Sequence, residues 1–182
     1  MQRLLTGLAP TLALCAALVA ASPALAALKV GDKAPEFTAP AALAGKDFNF
    51  TLSKALKKGP VVLYFFPAAY TSGCTAEAHE FAEATPEFEK LGATVIGVTG
   101  GNVERIKDFS KEHCRDKFAV AAANPALIKT YDVVLPMKDN LSNRTSYVIA
   151  PNGKILLAYS DLNFADHVTK TMDAVKAYKG KK

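Results

Sequence analysis

Six consecutive apolar residues, Val61–Phe66, follow the punctuation Gly59-Pro60 and end at Pro67. A strand apolar on both sides is satisfied only between two covering layers, so this run predicts an interior strand with helices on each face. The remaining segments arrange themselves around it. Phe48-Asn49-Phe50-Thr51-Leu52 alternates like an edge strand, and Ser53–Lys58 reads as a short helix. Beyond Pro67, the residues Ala78, Phe81, Ala82, Phe88 and Leu91 recur at roughly a 3.6-residue period. They predict a helix starting near Ser72 or Gly73, with Pro86 expected to kink or divide it. Ala93–Val98 predicts a second buried strand, and Asn102 is expected to cap a helix carrying Val103, Ile106 and Phe109. A short strand over Phe118–Ala121 and a short helix over Pro125–Tyr131 come next. Ser146–Ala150 and Lys154–Tyr159 flank Pro151-Asn152-Gly153, an Asn-Gly hairpin signal. Phe164–Tyr178 closes the chain as a helix with Val168, Met172 and Val175 on one face.

This order describes an α/β chain with a central mixed sheet and helices on both faces, the order of a thioredoxin-like fold. The segment ahead of it has Arg3, the apolar stretch Thr11–Ala21 and then Ala24-Leu25-Ala26. These are the three parts of a secretory signal peptide, and the apolar stretch is short for a membrane-spanning helix. A retained anchor is the plainer alternative, and a lipid attachment at Cys15 is disfavoured by the bulky Leu14 before it. Cleavage after Ala26 makes residues 1–26 the signal and 27–182 a single domain of 156 residues with two cysteines. Such a chain is expected outside the cytoplasm, in the bacterial periplasm, without stable membrane association once cleaved. Its length supports a proper core, so no disulfide is needed simply to fold. The formal net charge is +5, or +4 without Arg3, and the lysines are scattered apart from Lys57-Lys58 and the tail Lys179-Gly180-Lys181-Lys182. With no basic stripe interleaved with aromatics, nucleic-acid binding is not expected.

The chemistry concentrates where the apolar strand gives way to the helix. Cys74 falls in the first turn of that helix, where free backbone N–H groups and the positive end of the helix dipole favour an anion. The thiolate is the nucleophilic form of cysteine. Thr71 lies three residues upstream, its hydroxyl within reach of the sulfur or of something bound beside it, and Pro67 fixes the strand exit without offering an N–H. A buried, inert packing cysteine is the alternative reading of Cys74 taken alone.

The pattern Pro67-x-x-x-Thr71-x-x-Cys74, with Gly73 before the cysteine and Thr75-x-Glu77 after it, resembles the active-site signature of the peroxiredoxins. Val30-Gly31-Asp32-Lys33-Ala34-Pro35-Glu36-Phe37 is similar to that family's N-terminal segment. Asn143-Arg144-Thr145-Ser146-Tyr147-Val148-Ile149, followed by Pro151-Asn152-Gly153-Lys154-Ile155, resembles the strand and hairpin that carry its active-site arginine. The resemblance runs from Leu28 to Tyr178, and the wording around Cys74 is similar to the bacterioferritin-comigratory, or Q-type, branch.

That resemblance implies a thiol-dependent peroxidase acting on hydrogen peroxide and organic hydroperoxides, with no cofactor and no metal. It implies that Cys74 attacks the peroxide, that Arg144 holds the thiolate and polarises the peroxide oxygens, that Thr71 orients the peroxide and that Pro67 shields the pocket. It also implies recycling by a thioredoxin-like or other thiol donor, and a monomer is expected. Much of the branch places a second cysteine five residues after the first, where this chain has His79. Other members place it in the following helix, where Cys114 is similarly located as the resolving candidate. A one-cysteine enzyme with Cys114 as packing stays open. His79, His113 and His167 have no tight ligand spacing and are read as surface or helix-face residues rather than metal ligands. A disulfide reductase would want Cys-x-x-Cys, which Glu77 breaks. An exported, non-enzymatic module of the same fold needs neither Thr71 nor Arg144.

Overall fold

The apolar run forms strand β3 (Val61–Ala68) of a seven-stranded sheet in a computed structural model that describes residues 27–180. The proposed signal, with Cys15, lies outside the described residues. Before β3 come β1 (Thr38–Leu43), β2 (Lys46–Thr51) and the short helix α1 (Leu52–Leu56). After it come α2 (Ser72–Lys90), β4 (Thr94–Gly101), a 3₁₀ turn over Val103–Arg105, α3 (Ile106–Glu112) and β5 (Ala119–Ala122). The chain continues through α4 (Pro125–Thr130), β6 (Val134–Leu135), β7 (Lys138–Ser142), β8 (Thr145–Ile149), β9 (Ile155–Ser160) and α5 (His167–Lys179).

The sheet order is β2-β1-β5-β4-β3-β8-β9, and β6 and β7 form a separate antiparallel pair. The β3, β4 and β5 strands run parallel, whereas β8 joins β3 antiparallel and β9 joins β8 by the Asn-Gly hairpin. Alternation along β3 builds both cores. Val61, Leu63 and Phe65 enter one apolar cluster with Ile96, Tyr131 and Tyr147. Val62, Tyr64 and Phe66 enter the other, with Phe81 and Phe88 of α2, Phe109 of α3 and Val175 of α5. Every residue from Val61 to Phe66 is fully buried.

Three local expectations are corrected. Pro86 does not divide α2, which runs unbroken from Ser72 to Lys90. The missing N–H costs one hydrogen bond, while burial of Phe81, Ala82, Thr85 and Phe88 around it holds the helix on the sheet. Asn102 precedes the helical turn, yet its side chain makes no cap bond. Its backbone is left-handed (φ 55°), and its amide donates 2.7 Å to the Ala69 carbonyl instead. The last helix begins at His167 rather than Phe164, and His167, expected on a surface or helix face, lies on the buried face of that helix.

Candidate active site

The exit from β3 is clamped before α2 begins. Thr99 Oγ1 donates to the Pro67 carbonyl at 3.1 Å, Ala69 N donates to the Gly101 carbonyl at 3.2 Å, and Asn102 holds Ala69 from the other side. A Cβ on Gly101 would stand 2.7 Å from the Pro67 carbonyl oxygen, so only glycine lets the two strand ends lie this close. Tyr70 then adopts φ 65°, a left-handed conformation unusual for a bulky residue, and docks its ring against α3. There Arg105 covers the ring at 3.5 Å, Phe109 and His113 meet its edge, and its hydroxyl donates to Glu112 at 2.9 Å. Thr71 closes the first turn by accepting Thr75 N–H at 2.9 Å. Its hydroxyl donates to the Ala68 carbonyl at 3.1 Å, which leaves the oxygen's lone pairs able to accept.

Cys74 is the third residue of α2 and only 2 % exposed. Arg144 reaches its sulfur from the turn between β7 and β8, with Nη2 to Sγ at 3.6 Å. The guanidinium is itself fixed on its other edges. Its Nε donates to the Leu162 carbonyl at 3.0 Å, and Nη1 is hydrogen-bonded to Glu77 Oε2 in a buried ion pair. The Arg144 backbone is held too, its carbonyl accepting Asp161 N–H at 3.2 Å, while Asn143 N donates to the Val133 carbonyl at 2.6 Å. A Cβ on Gly73 would lie 3.4 Å from Arg144 Nη2 and 3.9 Å from the Phe164 ring.

Glu77 sits one helical turn after Cys74 and is fully buried. Burial pushes its carboxyl up, to about 8, against the opposing pull of Arg144. Its Oε1 has no hydrogen-bond partner and lies 3.9 Å from His167 Nδ1. His167 is kept neutral by burial, its value lowered to about 4. Its Nε2–H donates to the Asp161 carbonyl at 3.0 Å, so Nδ1 accepts from the Ser146 hydroxyl at 2.7 Å.

The structure therefore brings Cys74 and Arg144 together, sets Pro67 and Thr71 in the segment that leads to them, and adds Glu77, quoted above only as part of the signature, with His167 and the Leu162 carbonyl, which the sequence did not place at the site. Glu77 was within reach of a spacing argument, since residues three apart on a helix share a face. The contribution of Leu162 comes from its backbone and has no sequence signature. Cys114 lies just past the end of α3, fully buried in the same apolar cluster as Cys74, and both thiols are free. Burial pushes the Cys114 thiol up, and no charged group is hydrogen-bonded to it among the described residues. His113, its neighbour in sequence, meets His79 of α2 with Nδ1 and Nε2 at 3.2 Å.

The profile of the AhpC/TSA family matches residues 30–158. The chain is 32 % identical over 130 residues to the chloroplastic peroxiredoxin Q of Sedum lineare, covering 71 % of this chain and 69 % of that protein. It is 28 % identical over 156 residues to peroxiredoxin Bcp of Bacillus subtilis, covering 82 % and 96 %. Among solved structures, the crystal structure of peroxidoxin BcpB from Mycobacterium tuberculosis superposes with a TM-score of 0.73 at 29 % identity, over 82 % of this chain and 97 % of that one.

Proposed function

The chain belongs to the AhpC/TSA family, and on that premise we propose that it is a thiol-dependent peroxidase whose peroxide-attacking group is Cys74. The observation that carries the assignment is the 3.6 Å approach of the Arg144 guanidinium to the Cys74 sulfur at a helix start. It supplies a cation where the thiolate and the peroxide oxygens concentrate negative charge. The thiolate attacks one peroxide oxygen and the O–O bond breaks. The sulfur keeps the attacked oxygen and its hydrogen as a sulfenic acid, and the departing oxygen takes up a proton as water or an alcohol. Thr71 offers lone pairs to the incoming hydroperoxide O–H, and Pro67 shields the strand exit. Glu77 and the Cys74 sulfur share one guanidinium, Glu77 on Nη1 and the sulfur facing Nη2, so the carboxyl fixes the cation beside the reacting atom.

Cys114 is the proposed resolving residue. Its thiol attacks the Cys74 sulfenic acid, a disulfide forms and the hydroxyl leaves as water; two electrons from a thioredoxin-like dithiol then restore both thiols. Both cysteines are buried and their thiols free in the folded protein, and the disulfide forms on unwinding of the first turn of α2. The same burial favours a second reading, in which Cys114 is packing and small thiols recycle Cys74 directly. Export after Ala26 and action as a monomer in the periplasm complete the proposal. Peroxide-treated mature protein, digested and mapped without reductant, is expected to yield a peptide linking Cys74 to Cys114. Continued turnover with no such link would establish the one-cysteine reading, and undiminished peroxide consumption by Cys74→Ser would overturn the assignment altogether.

A further inference from the structure

At the far end of α2 from Cys74 the molecule holds a half-enclosed cavity of about 380 Å³. Its walls come from Phe50 of β2, Ala55 of α1, Val95 and Ile96 of β4, and Phe118 and Ala119 at the start of β5. These are apolar side chains, and the volume falls in the range of small-molecule sites, about 300–1,000 Å³. Strand register gives the position. Thr94–Ile96 pair with Val61–Leu63, at the N-terminal end of the parallel strands, whereas Pro67 and Ala68 lie at the opposite end beside Thr99–Gly101. Along α2, Thr85 on the cavity wall is 11 residues from Cys74, or about 16 Å of helix.

The mouth is asymmetric in charge. Lys54, Lys58 and Lys117 line it against the single acid Glu89. None of the three ammonium groups has an ion-pair or hydrogen-bond partner among the described residues, whereas the side chains of Lys107, Arg115 and Lys90 are all paired. Phe48, 42 % exposed on the edge strand, forms an apolar lip at the same opening. An apolar pit ringed by unpaired cations suits a molecule with an aliphatic body and one anionic end.

We propose that this cavity is a second ligand site, separate from the peroxide site, for a medium-chain aliphatic carboxylate. The chain enters between Phe50, Ala55 and Phe118, and the carboxylate stays at the mouth within reach of Lys54, Lys58 and Lys117. A long-range part of the attraction is electrostatic and weakens with salt, while the apolar part does not.

Decanoate, kept below its micelle concentration, is the probe, titrated into the reduced mature protein by calorimetry and followed by amide chemical shifts. One molecule per chain is expected, with a Kd on the order of 10–100 μM, and with shifts centred on Phe48, Ala93, Lys117 and Phe118. Lys54→Glu with Lys58→Glu, two exposed changes that leave the fold alone, should weaken decanoate at least about fivefold without altering hydrogen peroxide consumption. Ala119→Leu, which fills the floor, should remove binding. Absence of saturable binding, shifts located elsewhere, an undiminished affinity in the double charge reversal, or uptake only in the presence of phospholipid vesicles would each overturn the proposal.

Discussion

Cys74 and Cys114 share one apolar cluster and one degree of burial, 2 % and 0 % exposed, yet their surroundings differ in kind. Cys74 stands in the first turn of a 19-residue helix and faces a guanidinium. Cys114 follows the last turn of a seven-residue helix, in a tight turn where Arg115 and Asp116 both have positive φ, and apolar packing alone acts on its thiol. Burial therefore does not separate the cysteine proposed to attack peroxide from the one proposed to resolve it. The distinction comes from which end of a helix the sulfur meets and from a cation held there by its own network.

The largest effect that can break this comparison is removal of each sulfur in turn. Cys74→Ser should lower peroxide consumption by at least about 10³-fold, the scale on which loss of a covalent nucleophile is felt. Cys114→Ser should still consume one equivalent of hydroperoxide, and a sulfenic-acid trap should then label Cys74. Labelling at position 114 in the wild type would reverse the assignment of the two thiols.

Next in size is the cation. Arg144→Ala should slow the first, stoichiometric oxidation by about 10²-fold, measured by rapid mixing with hydrogen peroxide. It also leaves the Glu77 carboxyl without its hydrogen-bond partner in the core, and denaturant unfolding should show a loss of about 1–3 kcal/mol. Arg144→Ala combined with Glu77→Leu should recover much of the stability and none of the rate, which separates the structural role of the pair from the chemical one.

A smaller effect is expected from protons. With its carboxyl raised from 4.5 to about 8, Glu77 binds more protons in the native state than in the unfolded one across that window, so its contribution to stability falls as pH rises. His167, lowered from 6.5 to about 4, binds fewer protons when folded and acts in the opposite direction between those values. The two oppose each other up to about pH 6.5, and above it only the Glu77 decline remains. Urea midpoints should drop between pH 6.5 and 8 by the equivalent of about 1–2 kcal/mol. Glu77→Gln should flatten that slope; an unchanged slope would show that another group titrates there. The smallest effect is expected at Thr71, where replacement by Val should cost about five- to tenfold in peroxide oxidation, one hydrogen bond's worth, with Ser restoring it.

How much of this is legible in the sequence depends on how local each signal is. The β3 run, the hairpin at Asn152-Gly153 and the place of Cys74 in the first turn of α2 are written within a few neighbouring residues, and the structure has all three. Arg144 was legible through its hairpin, although nothing local says that its guanidinium crosses to α2. Strand β1 was not legible, because Thr38-Ala39-Pro40-Ala41-Ala42-Leu43 has little β-branching and a proline, and it becomes a strand through its pairing with β2 and β5. Pro86 misled for the opposite reason, since a local cost was outweighed by packing along the whole of α2. Glu77 could be read as a residue that is not cysteine, but its burial belongs to the tertiary structure, as does the meeting of His79 with His113 across 34 positions.

Gly73 carries a consequence for how this protein would respond to being made more stable. It occupies the second position of a long helix, where a change to alanine normally stabilises by about 0.5–1 kcal/mol. A methyl group there would meet Arg144 Nη2 at 3.4 Å and the Phe164 ring at 3.9 Å, ordinary contact distances that displace neither. A thermostability screen would therefore be drawn to Gly73→Ala, and the added methyl would fill space beside the guanidinium. Selection for heat resistance would then reshape a wall of the peroxide site at this single position, so variants ranked by one property need ranking again by the other.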